Sequence, residues 1–340
     1  MDISLKNGDT ITFHQRHMLY KFAQTRQTMS TSALNGGGRR DLKAVFNYDE
    51  TPPDGGWCQM KAETYEAHLA LTAKELGLDP QLTTGLSTTV QIENSVLIKE
   101  QYHGCEILVI CTAGADVNAA RAGEPSGYDE VTVIPDVQKG TINIFLSCDL
   151  DLPFGSQARG LITVTEAKTA ALQELAVGSC YSQALATGTG TDGVVFICNP
   201  SSDVKLTNAG PHSKLGEIIG RLTKKAVKEA LYKQTQLDTK RQFNVYERMK
   251  RFNIDDMFLL LSNEKMRMPQ NVALSSLVAH LLDQMDWGLL EPPVVLDIAR
   301  DILKLDFDIE SNKVADPHIV KDYILRGFIQ HVLDKESELR

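Results

Sequence analysis

No stretch of this 340-residue chain approaches the roughly 18 consecutive apolar residues that a membrane-spanning helix requires. The amino terminus, Met1-Asp2-Ile3-Ser4-Leu5-Lys6, lacks the basic segment followed by an apolar run that marks an export signal. A soluble, cytoplasmic protein without a membrane partner is expected. Positive charge is also in deficit: the formal net charge is -9, which argues against nucleic acid, whose phosphates call for a basic face. Cys-x-x-Cys and His-Glu-x-x-His are both absent, and His14 and His17 form the one closely spaced histidine pair, so no metal site is expected. The six cysteines are scattered, several within apolar runs, as reduced buried thiols are. No Gly-x-Ser-x-Gly elbow, internal repeat or low-complexity tract occurs.

What is present divides near residue 236. Upstream, short β-branched apolar runs at 106–112, 141–148 and 193–198 read as buried strands. Helical spacing of Tyr65, Leu69, Ala73 and Leu76, and of Leu215, Ile218, Ile219, Leu222, Ala226 and Ala230, interleaves helices with them. The expected fold is α/β, a layered sheet flanked by helices over residues 1–236. Downstream, 272–285, 294–303 and 319–333 carry apolar residues three and four apart. Asp316-Pro317 supplies a cap followed by proline at the first helical position, and Pro292-Pro293 separates two helices. A C-terminal all-helical extension is expected over 237–340.

Five segments carry candidate chemistry, each with a plain structural alternative. In Asn35-Gly36-Gly37-Gly38-Arg39-Arg40, open backbone amides and two forked cations suit an oxyanion, or the segment is a surface turn. Asn118 and Arg121 follow the run ending at Thr112, where open α/β sheets place ligands; the alternative is an ordinary turn capped by Asn118. Glu166 and Lys168 lie two positions apart on a helix and so do not share a face. The surrounding alanines place Glu166 at the border of the buried face, where a carboxylate suits base catalysis, and leave Lys168 to solvent. Thr187-Gly188-Thr189-Gly190-Thr191-Asp192 offers hydroxyls and open amides, but neither a phosphate-binding Walker loop nor a dinucleotide fingerprint. His212 precedes a helix, where its neutral form is favoured for proton transfer, unless it is merely a surface residue before the Ser213 cap.

Taken in order, Asn35 to Arg40, Thr112-Ala-Gly with Asn118 and Arg121-Ala-Gly, Thr141-Ile-Asn143-Ile, Thr165-Glu166-Ala-Lys168-Thr169, Ala-Thr187-Gly-Thr189-Gly-Thr191-Asp192 and His212-Ser-Lys-Leu-Gly-Glu217 resemble the adenosylcobinamide amidohydrolase family. The resemblance spans about residues 28 to 235 and departs at a longer stretch between Gly114 and Asn118 and a loose match at 85–90. It implies hydrolysis of the amide joining adenosylcobyric acid to 1-aminopropan-2-ol, in corrinoid salvage for cobalamin synthesis. No cofactor is required, because the cobalt belongs to the substrate. The chemistry needs an oxyanion site, a base and an acid. The Gly36 to Gly38 amides with Asn35 or Asn118 are expected to hold the carbonyl oxygen, Glu166 or Asp192 to activate water, and His212 or Lys168 to protonate the amine. Arg39, Arg40, Arg121, Asn143, Thr187, Thr189 and Thr191 are expected around the corrinoid. Cys111 is an alternative nucleophile, although a thiol at an apolar strand end is more often inert. Two other functions compete: a corrinoid carrier without catalysis, and an ATP-dependent enzyme using the Thr-Gly loop. The helical extension forms a homodimer, binds a partner or covers an apolar face.

Overall fold

Three central strands are apolar on both faces, and this fixes the layering. In β9 (Cys105–Ala113), Ile107, Val109, Cys111 and Ala113 enter one core cluster, whereas Leu108 and Ile110 enter another. The same split occurs in β11 (Ile142–Cys148), between Ile144 and Phe145, and in β13 (Gly193–Cys198), between Phe196 and Val195. Successive side chains of a strand point to opposite faces, so a sheet built this way must be covered twice.

The fold is that of a computed structural model describing residues 1–52, 60–125, 131, 140–254, 261–304, 309 and 313–334. It divides into two compact units, Met1–Tyr181 with Leu185–Asp238, and Ser182–Ala184 with Thr239–Arg340.

In the first unit, a five-stranded sheet contains β1 (Asp2–Ser4), β2 (Thr10–Phe13), β3 (His17–Lys21), β6 (Ala44–Asp49) and β7 (Thr83–Thr88), in the order β1-β2-β3-β6-β7. A six-stranded sheet adds β4 (Gln27–Ser30), β5 (Gly37–Arg39) and β8 (Val96–Tyr102), in the order β5-β4-β13-β11-β9-β8. Both sheets are mixed: β6 runs parallel to β7 and β11 to β13, while the other pairs are antiparallel. His103 and Gly104, with φ of 49° and 80°, make the two-residue turn between β8 and β9 that right-handed strand twist favours.

The sheets stack face to face. Met18, Tyr20, Val45 and Leu86 of one meet Leu108, Ile110, Phe145, Val195 and Ile197 of the other. The outer face of the six-stranded sheet is covered by α2 (Phe154–Glu174) and α3 (Lys214–Thr235), whose Val164, Ala171, Leu172, Ile218, Ile219 and Leu222 share its cluster. Leu69 and Ala73 of α1 (Tyr65–Glu75) cover Leu19 and Phe46 on the five-stranded sheet. The order of layers is helix, sheet, sheet, helices: the expected α/β fold, with its sheet doubled.

The second unit is helical among the described residues: α4 (Val245–Met249), α5 (Asn263–Arg267), α6 (Pro269–Asp286), α7 (Pro292–Leu303) and α8 (Pro317–Asp334). Each of the last three opens on proline at its first position, where no N–H is needed. Asp316 accepts from the His318 and Ile319 amides as the cap of α8. Val278, Leu282, Val295, Leu296, Ile324 and Phe328 are among the side chains of a separate core. Within it Arg251 forks onto Asp283 through two bonds of 2.7 Å.

Candidate active site

At one rim of the stacked sheets the packing between them turns from apolar side chains to amides and hydroxyls. There Asn143 of β11 lies opposite Thr112 of β9 on one side and Gly193 of β13 on the other. Asn143 donates to Asn47 Oδ1 and to the Ser87 carbonyl, both at 2.8 Å, and Asn47 donates to Thr112 Oγ1 at 2.9 Å. All three side chains are buried. Hydrogen bonding offsets the cost of placing amides there and fixes one sheet against the other. A Cβ on Gly193 would come within 2.7 Å of Leu86 and 3.0 Å of Asn143 Oδ1, so the site requires glycine.

The segment entering β13 carries Asp192 into this rim. Its Oδ1 accepts from the Ile142 amide at 3.0 Å and the Thr189 hydroxyl at 2.5 Å, and its Oδ2 accepts from the Thr189 amide at 3.0 Å and from the Lys168 ammonium. Lys168 reaches it from α2, and the two side chains are only 10% and 12% exposed. Lys168 arrives on the helix face that carries Val164, Ala171 and Leu172, positions i-4, i+3 and i+4. Gly188 allows the approach: a Cβ there would lie 2.7 Å from Lys168 Nζ and 2.4 Å from Asp192 Oδ2. The result is a hydroxyl, a carboxylate and an ammonium joined by hydrogen bonds in a site largely shielded from water.

The surrounding loops are tied to the same rim. β10 (Ala119–Ala120) pairs with β12 (Gly188–Thr189). Asn118 Nδ2 donates to the Gly140 carbonyl at 2.8 Å, and Asn118 Oδ1 accepts from the Tyr181 hydroxyl at 2.7 Å. Thr191 Oγ1 donates to the same Gly140 carbonyl at 3.1 Å, Thr187 Oγ1 accepts from the Ala122 amide at 2.9 Å, and Arg121 holds the Leu185 carbonyl at 3.1 Å. Asn118, Arg121, Lys168, Thr187, Thr189, Thr191 and Asp192 therefore gather around the β10–β12 pair and the start of β13, while Asn143 bonds Asn47 and the Ser87 carbonyl between the two sheets.

The other expected residues stand apart from it. Glu166 is exposed and Lys168 buried, the reverse of the expectation from the flanking alanines: the helix turns Glu166 outward with Ile162 and Thr165. His212 is exposed before α3, on the chain that leaves the C-terminal end of β13, whereas Asp192 precedes its N-terminal end. The glycine triplet is not an open cradle either. Gly37 and Gly38, with Arg39, form β5, paired to β4. Asn35, left-handed at φ 50°, donates to the Pro80 and Thr83 carbonyls at 2.6 and 2.7 Å. Gly36 is compelled by packing, since a Cβ would lie 2.1 Å from the Ser32 carbonyl oxygen. Arg39 is held by Asp41 and Asn35, and Arg40 by Gln27, with its guanidinium over the Phe154 ring.

Cys111 is fully buried, and burial, with the Asp192 charge adding to it, pushes its thiol far above the usual range. It holds no thiolate for nucleophilic work at neutral pH. Cys111→Ala is expected to keep turnover within about threefold, and iodoacetamide to leave Cys111 unlabelled in the folded protein; loss of activity in a folded variant would contradict this.

The sequence singles out neither Asn47 nor Tyr181 nor Gly140, because each acquires its partner only across long separations. Nor does it mark a buried pair under α1, where His68 Nε2 meets Glu50 Oε1 at 2.9 Å while His68 Nδ1 accepts from the Lys61 amide at 3.0 Å. Both ring nitrogens are occupied, so this histidine anchors the segment leading into α1.

Among the described residues, no group of three or more His, Cys, Asp or Glu is arranged to hold a metal ion, and no helix is long and apolar enough to cross a membrane. The protein MJ1613 of Methanocaldococcus jannaschii, itself uncharacterized, is 32% identical over 241 residues, covering 67% of this chain and 91% of the relative. The crystal structure of the PH0078 protein from Pyrococcus horikoshii OT3 aligns with 69% of this chain and 83% of its own at 10% identity and a TM-score of 0.31, too loose to argue from. The model of the family described as adenosylcobinamide amidohydrolase matches residues 2–239, the whole of the sheet-bearing unit that builds the rim. By that match the chain belongs to the adenosylcobinamide amidohydrolase family.

Proposed function

We propose that the protein hydrolyses the aminopropanol amide of adenosylcobinamide, releasing adenosylcobyric acid and 1-aminopropan-2-ol in corrinoid salvage. The observation that supports the reading is the shielded Lys168–Asp192 pair with the Thr189 hydroxyl on the other carboxylate oxygen, set where four of the six family-like motifs converge. Asp192 is the base that activates the attacking oxygen. Lys168 offers N–H groups to the carbonyl oxygen as charge develops there, and is the acid beside the departing amine. The reacting amide sits on a peripheral arm of the corrin. A narrow polar site therefore suffices for it, while the ring rests against the polar loops around Asn118, Arg121 and Thr187. Both proton transfers are made by side chains of the protein, and the cobalt travels with the substrate.

The test is to incubate purified protein with adenosylcobinamide, without added metal or nucleotide, and separate the products by chromatography with mass detection. Stoichiometric adenosylcobyric acid and aminopropanol are expected. Substrate that co-elutes unchanged with the protein would replace hydrolysis by a carrier function. Glu166→Gln and His212→Gln are expected to keep turnover within about threefold, because neither exposed side chain reaches the Lys168–Asp192 pair. A hundredfold loss in either, with folding intact, would move the proton transfers away from the rim.

A further inference from the structure

We propose that Thr189 is the nucleophile, so that the amide is cleaved through an ester on its side-chain oxygen rather than by direct attack of water. This inference rests on the amide-hydrolysis reading and specifies its first step. A carboxylate has about four lone-pair sites for hydrogen bonds. On Asp192 these are taken by the Ile142 amide, the Thr189 amide, the Lys168 ammonium and the Thr189 hydroxyl. A water molecule would have to displace one of them before Asp192 could act on it. Of the four donors, two are backbone amides and one is a cation, leaving the Thr189 O–H, at 2.5 Å, as the group a carboxylate can turn into an attacking oxygen.

The rest of the geometry agrees. Lys168 is contributed by a helix 24 residues upstream and is buried, with Asp192 as its acceptor among the described residues. A turn closed by Thr189 and Asp192 alone would need no buried ammonium; a nucleophile–base pair uses one to meet the negative charge of the tetrahedral intermediate. Gly188 removes the Cβ that would separate the ammonium from the backbone beside Thr189. Asp192 thus bridges hydroxyl and ammonium through different oxygens, Oδ1 to the first and Oδ2 to the second.

In the first step a bond forms between Thr189 Oγ1 and the amide carbon while the hydroxyl proton passes to Asp192. The C=O electron pair moves onto oxygen, which receives an N–H of Lys168. Collapse breaks the C–N bond, the nitrogen takes a proton from Lys168, and the proton held by the Asp192 carboxyl is returned to Lys168 as the carboxyl reorients. Aminopropanol leaves and the corrinoid acyl group is held as an ester. Esterified, Thr189 no longer donates to Asp192 Oδ1, which opens the position a water needs. That water loses a proton to Asp192 as its oxygen bonds to the ester carbon, and Thr189 Oγ1 departs with the proton. The sum is amide plus water giving acid plus amine.

The full-length protein is mixed with excess adenosylcobinamide, quenched in acid within the first turnover and digested. The peptide carrying Thr189 should gain the mass of the adenosylcobyric acyl group, and hydroxylamine in the reaction should divert product to the hydroxamate. Thr189→Val should lower turnover by about a thousandfold or more, with far-UV dichroism and corrinoid binding retained, while Thr189→Ser stays within about tenfold of the parent. Thr189→Val that turns over within tenfold of the parent, with no ester and no hydroxamate from the parent protein, would overturn the nucleophile while leaving amide hydrolysis standing. A parent protein that releases no aminopropanol would overturn both.

Discussion

Replacing Lys168 by methionine is expected to lower turnover of adenosylcobinamide about a thousandfold, and Asp192→Asn to do the same. Methionine preserves the stem that packs beside Val164 and Leu172 but removes the cation, so the developing oxyanion and the departing amine lose their proton source. Asparagine keeps the size of Asp192 but presents an amide nitrogen toward one of two positions that need an acceptor, Lys168 Nζ or the Thr189 hydroxyl. Because the two residues work as one unit, the double variant should be hardly slower than either single one. Each single variant also leaves a largely buried charge without its counterion, a loss of about 3 kcal/mol that urea titration would register. A folded Lys168→Met protein that retains a tenth of parental turnover would remove the ion pair from the mechanism.

The second large effect concerns stability. Arg26 grips Asp9 through two bonds, Nε to Oδ2 at 2.8 Å and Nη2 to Oδ1 at 2.9 Å, and Oδ1 also takes the Ala23 amide at 2.8 Å. The side chains are 2% and 0% exposed. Asp9 leads into β2 and Arg26 into β4, so the pair ties one sheet to the other. Asp9→Ala leaves a buried guanidinium without its counterion, holding only the longer bonds to Asn7, Thr25 and Asn199, and is expected to destabilise the protein by about 3 to 5 kcal/mol in urea unfolding. Asp9→Leu combined with Arg26→Met should recover most of that loss, because two apolar groups carry no desolvation penalty. A single variant within 1 kcal/mol of the parent would show that water reaches the pair.

The sequence made the long elements legible because their pattern is redundant. The apolar runs predicted at 193–198 and 106–112 are strands Gly193–Cys198 and Cys105–Ala113, and the periodic stripe from Leu215 is the helix Lys214–Thr235. The second sheet was not legible. Asp2–Ser4, Thr10–Phe13 and His17–Lys21 are three to five residues long, too short for alternation to stand out. At the candidate site, the segments around Asn118, Asn143, Lys168 and Asp192 that the sequence singled out lie near one another, but which side chains meet was not legible. Alanines mark a helix face poorly because they are indifferent to exposure, and so Glu166 and Lys168 were exchanged. The glycines at 36 to 38 were read for backbone freedom, whereas packing against Ser32 and Phe154 and a strand pairing account for them. Thr189 was counted among residues that bind substrate; only the distance to Asp192 distinguishes its hydroxyl from those of Thr187 and Thr191.

Asp192 receives one hydrogen bond from the first residue of β11 and another from the helix that follows that strand, 50 and 24 positions away along the chain. No short peptide containing the Thr-Gly loop could therefore reproduce the site, and the charges of Lys168 and Asp192 meet only after β11, α2 and β13 have docked. During refolding, catalysis should be the last property to return: helical dichroism can recover from segments acting separately, whereas turnover reports that the central sheet has closed in register.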